Sequence, residues 1–209
     1  ANLTVSCAEN VPAANIGLIV TTDNCGGNVA VTVAADVISN QTCANSYTIS
    51  RVYSATDICG NVASCTQTII VDDDTPPSIT CLADLTVGCA WQVPEATTDD
   101  VDVEDNCNGA VTVTIAPDIM SNFVCLNSYT LTRVFTATDV CGNTATCAQV
   151  IVVDDNTGPT ILCPANLTVS CASDIPVPNI GLVGATDNCG GGTVMITVAP
   201  DVTTNFTCA

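Results

Sequence analysis

The cysteines of this chain recur at a fixed interval, which constrains the fold more than any other feature. Segments around them also align, as in ANLTVSC (1–7), ADLTVGC (83–89) and ANLTVSC (165–171). A period of about 82 residues indicates a tandem array of similar modules. The step from Cys125 to Cys208 is one residue longer than the others. Six cysteine positions follow this period: Cys7/Cys89/Cys171, Cys25/Cys107/Cys189, Cys43/Cys125/Cys208, Cys59/Cys141, Cys65/Cys147 and Cys81/Cys163.

The phase of the repeat predicts where the modules begin and end. We expect module 1 over 1–74, lacking its first residues, a complete module 2 over 75–156, and the N-terminal part of module 3 over 157–209. We interpret the chain as a window on a longer tandem array, so the expected partners are further copies of the same repeats. These copies would follow head-to-tail or lie in one longer chain.

Composition excludes several classes of function. The chain has 21 acidic residues, two Arg, no Lys and no His. Such a chain lacks the bases that neutralise phosphate, so we expect no nucleic-acid partner and no anionic membrane surface. Membrane insertion is not expected either, because no apolar run approaches the roughly 18 residues of a membrane span. The missing His and Lys also remove common catalytic groups, and we predict that the protein is not an enzyme.

Fifteen cysteines without His or a CxxC pair favour disulfides over zinc or thioredoxin-type chemistry. Disulfides persist in oxidising compartments, which predicts an extracellular or cell-surface protein. Four Asn-x-Ser/Thr sites suit that location and are candidate glycosylation sites: Asn2, Asn40, Asn166 and Asn205.

The spacing of apolar residues predicts strands. Segments such as VAVTVAADV, AVTVTIAPDI and YTLTRVFTATD alternate with period two and are rich in Thr, Val and Ile. In the phrase DVCGNT, Gly142 and Asn143 are expected to form a hairpin turn. We therefore predict an all-β fold of tandem immunoglobulin-like sandwich modules of about 82 residues, disulfide-stapled and arranged as an extended rod.

Strand directions limit which cysteines can pair, because bonded cysteines have Cα atoms within about 7 Å. Tracing the strands of module 2 places Cys81, Cys107, Cys141 and Cys147 at one end, and Cys89 and Cys125 at the other. Pairing within each module then predicts these bridges: Cys7–Cys43, Cys25–Cys59, Cys81–Cys147, Cys89–Cys125, Cys107–Cys141 and Cys171–Cys208. Three cysteines are expected to have no partner in this chain: Cys65, Cys163 and Cys189.

Acidic clusters make calcium the candidate cofactor, since this cation binds six to eight oxygens from carboxylates and carbonyls. One group lies at the predicted module junctions, and the other lies on one face of a predicted strand in module 2. The candidate ligands are Asp72, Asp73, Asp74, Asp154, Asp155, Asp100, Asp102 and Glu104. The alternative interpretation is a solvated acidic surface. Asp57 and Asp139 are either calcium ligands or carboxylates of a turn.

Both arginines fall in phase with the apolar face of a predicted strand. A buried Arg must be paired, so Arg51 and Arg133 are expected to form structural ion pairs with nearby Asp residues. Binding of an external ligand is the alternative role.

The combination CPANLTVSC, ATDNC and YTLTRVFTATDVCGNTATCAQVIVVDD resembles the hyalin-repeat (HYR) modules, along the whole chain. It is most similar to the cysteine-rich, HYR-like modules of large secreted bacterial surface proteins. The resemblance implies an immunoglobulin-like sandwich, an extracellular location and an adhesive or structural role. The usual pairing in that family agrees with the Cys81–Cys147 bridge, whereas four further cysteines per module and an Arg at 51 and 133 depart from its pattern.

Two classes of function follow. The first is an extracellular structural protein whose cross-linked modules form a rod or filament. The second is the stalk of a cell-surface adhesin, stiffened by calcium.

Overall fold

The computed structural model describes residues 2–24, 26–190 and 193–204. Fourteen strands and six short 3₁₀ turns are present, and the described residues contain no α-helix. The all-β prediction is confirmed. The strands are β1 Leu3–Val5, β2 Ala30–Val33, β3 Val37–Cys43, β4 Ser46–Thr56, β5 Val62–Asp72, β6 Ser78–Thr80, β7 Leu85–Val87, β8 Asp102–Glu104, β9 Thr112–Ile115, β10 Ile119–Cys125, β11 Ser128–Thr138, β12 Thr144–Asp154, β13 Thr160–Leu162 and β14 Gly184–Thr186.

The structure repeats with the period of the sequence. Strands β1 to β5 begin one full repeat before β7 and β9 to β12, respectively, as Leu3 and Leu85 illustrate. In each copy, a long antiparallel hairpin (β4–β5, β11–β12) forms the centre of a five-stranded sheet. The first strand of the copy runs parallel to the second strand of the hairpin: Leu3 pairs with Ile69, and Leu85 with Ile151.

Two smaller sheets complete the described strands. Strand β6 pairs antiparallel with β8, with Ile79 opposite Val103. Strand β13 pairs in the same way with β14, with Ile161 opposite Ala185. These strands follow the repeat too, because β6 begins at Ser78 and β13 begins at the equivalent position of the next copy, Thr160.

The contacts divide the chain into two compact units, which differ from the predicted modules 1–74, 75–156 and 157–209. Unit 1 comprises Ala1–Ala83, Ala96–Pro117 and Arg133–Gln149. Unit 2 comprises Asp84–Glu95, Asp118–Thr132 and Val150–Ala209. Each unit therefore combines segments from successive copies of the repeat.

Each unit has a small aliphatic core. In unit 1, Ile49, Ile69 and Val71 are buried, and partly buried apolar side chains pack against them: Leu3, Val5, Val11 and Tyr47. In unit 2 the residues one repeat later are buried as well: Leu131, Ile151 and Val153. The alternation of these positions along β4, β5 and β12 is the period-two pattern of strands with one buried face.

Candidate functional site

Three of the four disulfides in the described residues join one copy of the repeat to the next. Among the described residues, bridges connect Cys7 with Cys107 and Cys43 with Cys141 in unit 1, with Cα separations of 5.2 and 5.1 Å. In unit 2, Cys89 bonds Cys189 with a Cα separation of 5.0 Å. Cys7–Cys107 and Cys89–Cys189 are the same bridge one repeat apart, each spanning 100 residues.

Most of the predicted pairings are therefore wrong. Three predicted bridges are replaced by those above, and Cys189 has a partner although none was expected: the replaced bridges are Cys7–Cys43, Cys89–Cys125 and Cys107–Cys141. Cys59 and Cys171 have free thiols rather than the predicted bonds, and their expected partners, Cys25 and Cys208, lie outside the described residues. Cys65, Cys125 and Cys163 are also free.

The predicted Cys7–Cys43 pairing within module 1 fails because both cysteines bond to the next copy of the repeat. Within unit 1, Cys7 and Cys43 do lie at the same end of the first sheet, since Ala8 N–H donates to the Oδ1 of Asn45, two residues after Cys43. However, each bonds a cysteine of the following copy. Closeness of two Cα atoms is equally compatible with pairing within a module and across a junction. One bridge has the expected partners, Cys81 and Cys147, with an S–S distance of 1.98 Å.

The Cys7–Cys107 bridge brings an acidic pair together. A carboxylate oxygen of Asp73 and one of Asp105 lie within 4.8 Å of each other and of the Cys107 sulfur. Asp73 is held by its backbone N–H, which donates to the Asn45 carbonyl at 3.0 Å. Asp105 caps its own turn, accepting from the Cys107 N–H at 3.1 Å through Oδ2.

Each of these carboxylates has one oxygen that is buried and has no hydrogen-bond partner among the described residues: Asp73 Oδ2 and Asp105 Oδ1. Asp73 is only 5% exposed. Its other oxygen, Oδ1, accepts from Asn106 Nδ2 at 3.2 Å. We name Asp73 and Asp105 the unit 1 carboxylate pair.

Unit 2 contains the same arrangement one repeat later. Carboxylate oxygens of Asp155 and Asp187 lie within 4.8 Å of each other and of the Cys189 sulfur. Asp187 accepts from the Cys189 N–H at 3.0 Å, and Asp155 accepts from the Thr157 N–H at 3.2 Å. We name Asp155 and Asp187 the unit 2 carboxylate pair.

The other predicted calcium ligands are not part of these pairs. Five are exposed: Asp72, Asp74, Asp154, Asp102 and Glu104. Asp102 and Glu104 share the outer face of β8, but Asp100 lies in a 3₁₀ turn, where it accepts from the Thr97 N–H at 2.8 Å. Asp105 and Asp187 were missed, although the triplet Asp-Asn-Cys that contains them occurs in all three modules and marks the position.

Asp139 is a turn carboxylate. Its Oδ1 accepts from the backbone N–H groups of Cys141 and Asn143, and its Oδ2 accepts from Asn143 Nδ2, all at 2.8 Å. Burial acts to raise the pKa of this carboxyl, but the hydrogen bonds from Asn143 and Cys141 outweigh it and hold the pKa below its usual range. Asn143 Nδ2 also donates to the Asp73 carbonyl at 2.9 Å.

Asp57 has the same role one repeat earlier. The side chain and backbone N–H of Asn61 donate to it, followed by the Cys59 N–H, and these bonds lower the pKa of its carboxyl. In both turns the glycine has positive φ, +88° at Gly60 and +91° at Gly142. The Asp-x-Cys-Gly-Asn phrase is therefore a self-capped five-residue hairpin turn.

Arg51 is buried and paired. Its Nε and Nη2 donate to the two carboxylate oxygens of Asp36 at 2.9 and 2.8 Å, and Nη1 donates to the Pro12 carbonyl at 2.9 Å. The hydrogen bond from Arg51 lowers the pKa of Asp36 and raises that of the guanidinium. Arg133 is equally buried, and Asp118 and Pro94 stand one repeat after Asp36 and Pro12.

The candidate glycosylation sites are accessible where they are described. Asn2, Asn40 and Asn166 are exposed, and Asn205 lies outside the described residues.

Residues 1–71 match the family model of the HYR-like domain with 4 cysteines. This finding supports the HYR-like resemblance for that part of the chain and carries no information on a bacterial source. No curated protein sequence matches the chain.

Similar solved structures come from cadherins. Drosophila N-cadherin EC1-4 is 13% identical, with 72% of this chain and 47% of that chain covered and a TM-score of 0.30. The protocadherin GammaB4 extracellular domain is 16% identical, with 66% and 29% covered and a TM-score of 0.29. Human mucin-like protocadherin EC1-2 is 13% identical, with 72% and 94% covered and a TM-score of 0.28. The chain thus spans less than half of the first two structures.

The location follows from the chemistry of the cysteines. The described residues contain four disulfides, which persist in oxidising compartments. Together with the HYR-like match, they place the protein outside the cell or at its surface. None of the helices in the described part of the chain is long and apolar enough to span a membrane.

Proposed function

We propose that the chain is part of an extracellular structural protein, a rod or filament of HYR-like modules in which disulfides bond each module to the next. The bridge that recurs as Cys7–Cys107 and Cys89–Cys189 carries this proposal. A bridge that repeats with the modules can continue along any number of them. A covalent ladder of this kind resists separation of neighbouring modules, which is a mechanical function and involves no catalysis.

The free cysteines support the same proposal. Each stands one repeat away from a bridged cysteine: Cys59 from Cys141, Cys65 from Cys147, Cys125 from Cys43, Cys163 from Cys81 and Cys171 from Cys89. Each free thiol therefore has the position of one half of a bridge. The proposed partner is the matching cysteine of a neighbouring copy of the repeat, arranged head-to-tail.

The second candidate is the stalk of a cell-surface adhesin. The observation that favours it is the acidic segment 99–105, which occurs only in module 2 and displays Asp102 and Glu104 on the exposed face of β8. A segment peculiar to one module is more typical of a binding protein than of a uniform filament.

Peptide mapping of native, non-reduced material after alkylation tests the first proposal. We expect linked peptides containing Cys7 and Cys107, and we expect the five free thiols to resist alkylation because they are bonded to other copies: Cys59, Cys65, Cys125, Cys163 and Cys171. Alkylation of these five cysteines in native material would contradict the array. Electron microscopy of the same material separates the two candidates, since regular filaments favour the first and single surface stalks favour the second.

A further inference from the structure

We propose that each carboxylate pair binds one Ca²⁺ ion, with Asp73 and Asp105 as ligands in unit 1 and Asp155 and Asp187 in unit 2. This inference rests on the local geometry and does not depend on the proposed array.

Without a bound cation, the unit 1 carboxylate pair is energetically unfavourable. Asp73 Oδ2 and Asp105 Oδ1 are buried and accept no hydrogen bond from the described residues. A buried carboxylate oxygen without a donor or counter-charge is unfavourable, and a second carboxylate with an oxygen within 4.8 Å adds repulsion. A cation bound by both carboxylates would remove both penalties.

The chain offers few cations of its own. It has no Lys and no His, and the guanidinium of Arg51 is committed to Asp36 and Pro12. The donors that do approach the pair are neutral: the Asn106 amide and the Thr75 N–H reach Asp73 Oδ1, and the Cys107 N–H reaches Asp105 Oδ2. Because these donors carry no charge, a cation from solution would supply the neutralising charge.

The donor atoms around the pair determine which cation fits. The Cys107 sulfur is part of a disulfide and offers no thiolate, which disfavours zinc and other thiophilic metals. The remaining donors are oxygens. Besides the carboxylates, the carbonyls of Ser6 and Asn106 lie 3.5 and 3.3 Å from the sulfurs of Cys107 and Cys7, which carry no proton to donate to them. Carboxylates and carbonyls in irregular geometry suit Ca²⁺, whereas Mg²⁺ retains several waters and needs a near-ideal octahedron.

The arrangement of the unit 1 carboxylate pair recurs in unit 2. The unit 2 pair has the same spacing, the same capping of the second Asp by the following Cys N–H, and the same adjoining disulfide. A backbone carbonyl, that of Gly88, lies 3.2 Å from the Cys189 sulfur, as Ser6 does in unit 1. The unit 1 and unit 2 carboxylate pairs thus have the same kinds of oxygen atoms around them.

The consequence is a second link between copies of the repeat. In unit 1, Asp73 follows β5 of the first copy, and Asp105 lies in the second copy beside Cys107. A bound ion would hold the same two segments that the Cys7–Cys107 bridge holds. This link acts without oxidation and disappears when calcium is removed.

Isothermal titration of CaCl₂ into the full-length, oxidised, metal-stripped chain tests the proposal. We expect two ions per chain. Asp105→Asn should reduce the number to one, Asp187→Asn should also reduce it to one, and the double variant should bind none. Asp74→Asn is the matched control, because it removes the same charge from an exposed position next to Asp73 and should leave two.

Two further readouts keep the result interpretable. The thermal midpoint should rise with Ca²⁺ for the wild type and for Asp74→Asn, but not for the double variant, and non-reducing peptide maps should show the Cys7–Cys107 and Cys89–Cys189 bridges in every variant. MgCl₂ in place of CaCl₂ should bind at least about tenfold more weakly. The proposal is overturned if the wild type takes up no Ca²⁺ at millimolar concentration, if the correctly bridged double variant still binds two ions, or if Mg²⁺ binds as tightly.

Discussion

At the scale of single residues, the Arg51–Asp36 pair is an ion pair of unit 1 whose guanidinium is buried. Arg51 is 4% exposed and donates two parallel hydrogen bonds to Asp36. Arg51→Lys keeps the charge but cannot reproduce the planar fork, so we expect a loss of about 1–2 kcal/mol of unfolding free energy. Arg51→Met should cost more, about 2–3 kcal/mol, because it leaves Asp36 without its partner, although that side chain is one-third exposed. Urea unfolding of the oxidised protein measures both, and a Lys variant as stable as wild type would contradict the role of the fork.

Three hydrogen-bonded carboxylates make the stability of the protein depend on pH. The folded-state pKa values of Asp139, Asp57 and Asp36 are lowered by hydrogen bonds to their ionised forms. Their stabilisation is therefore present above the unfolded pKa of about 3.9 and is lost as the pH falls through the folded-state values. We expect the thermal midpoint to be constant from pH 7 to about 5 and to fall below about pH 4. Asp139→Asn should flatten that fall, whereas Asp99→Asn, at an exposed position, should not.

Asp139 also shows what residue types alone could predict at this scale. The sequence is consistent with two roles for Asp139, a turn carboxylate and a calcium ligand, because both roles use an Asp near Gly and Asn. The choice depends on where the backbone N–H groups of Cys141 and Asn143 point, which is a property of the folded turn. Asp73 was predicted as a ligand from its place in an acidic run, yet its exposed neighbours Asp72 and Asp74 were predicted equally.

At the scale of elements, the strands and hairpins were predictable and the turn length was not. Alternating Thr, Val and Ile give a one-sided apolar strand such as β11, whose buried residues alternate. The predicted Gly142–Asn143 turn lies inside a longer loop, since Asp139 N–H donates to the Asn143 carbonyl at 3.1 Å. The Asp139 side chain accepts hydrogen bonds from backbone N–H groups of the loop. It thereby stabilises a turn of five residues, whereas the predicted turn had two.

The glycine of this turn provides a test at the same scale. Gly142 has φ of +91°, and its Cβ position is unobstructed, so backbone strain is the only penalty for a side chain. Gly142→Ala should therefore cost about 1–2 kcal/mol. Gly158→Ala is the control, because that position is also open but has no positive φ, and it should change stability little. Equal effects of the two substitutions on urea unfolding would show that the turn does not depend on its glycine.

At the scale of the whole molecule, the repeat and the ends of the strands were predictable, but the disulfide partners were not. The period of the repeat leaves pairing within a module and pairing with the next module equally consistent with the spacing of Cys7, Cys43, Cys107 and Cys141. Only the three-dimensional arrangement of successive copies decides between these two kinds of pairing. In the chain-entropy picture, a bridge that closes 100 residues stabilises by roughly 4–5 kcal/mol, so the choice also matters energetically.

The bridges across junctions predict how the chain extends under force. Stretched from its termini, an oxidised chain transmits tension through residues 1–7, the Cys7–Cys107 bridge, residues 89–107, the Cys89–Cys189 bridge and residues 189–209. That path contains about 47 residues and extends to roughly 160 Å, whereas all 209 residues extend to roughly 700 Å at about 3.4 Å each. Single-molecule force spectroscopy should therefore find a several-fold longer contour after reduction. Pairing within modules would leave a longer tension path, because the chain between Cys43 and Cys81 would then bear load. An oxidised contour well above the length of the short path would consequently exclude the ladder, whereas Cys81→Ser/Cys147→Ser, which removes a bridge off the path, should leave it unchanged.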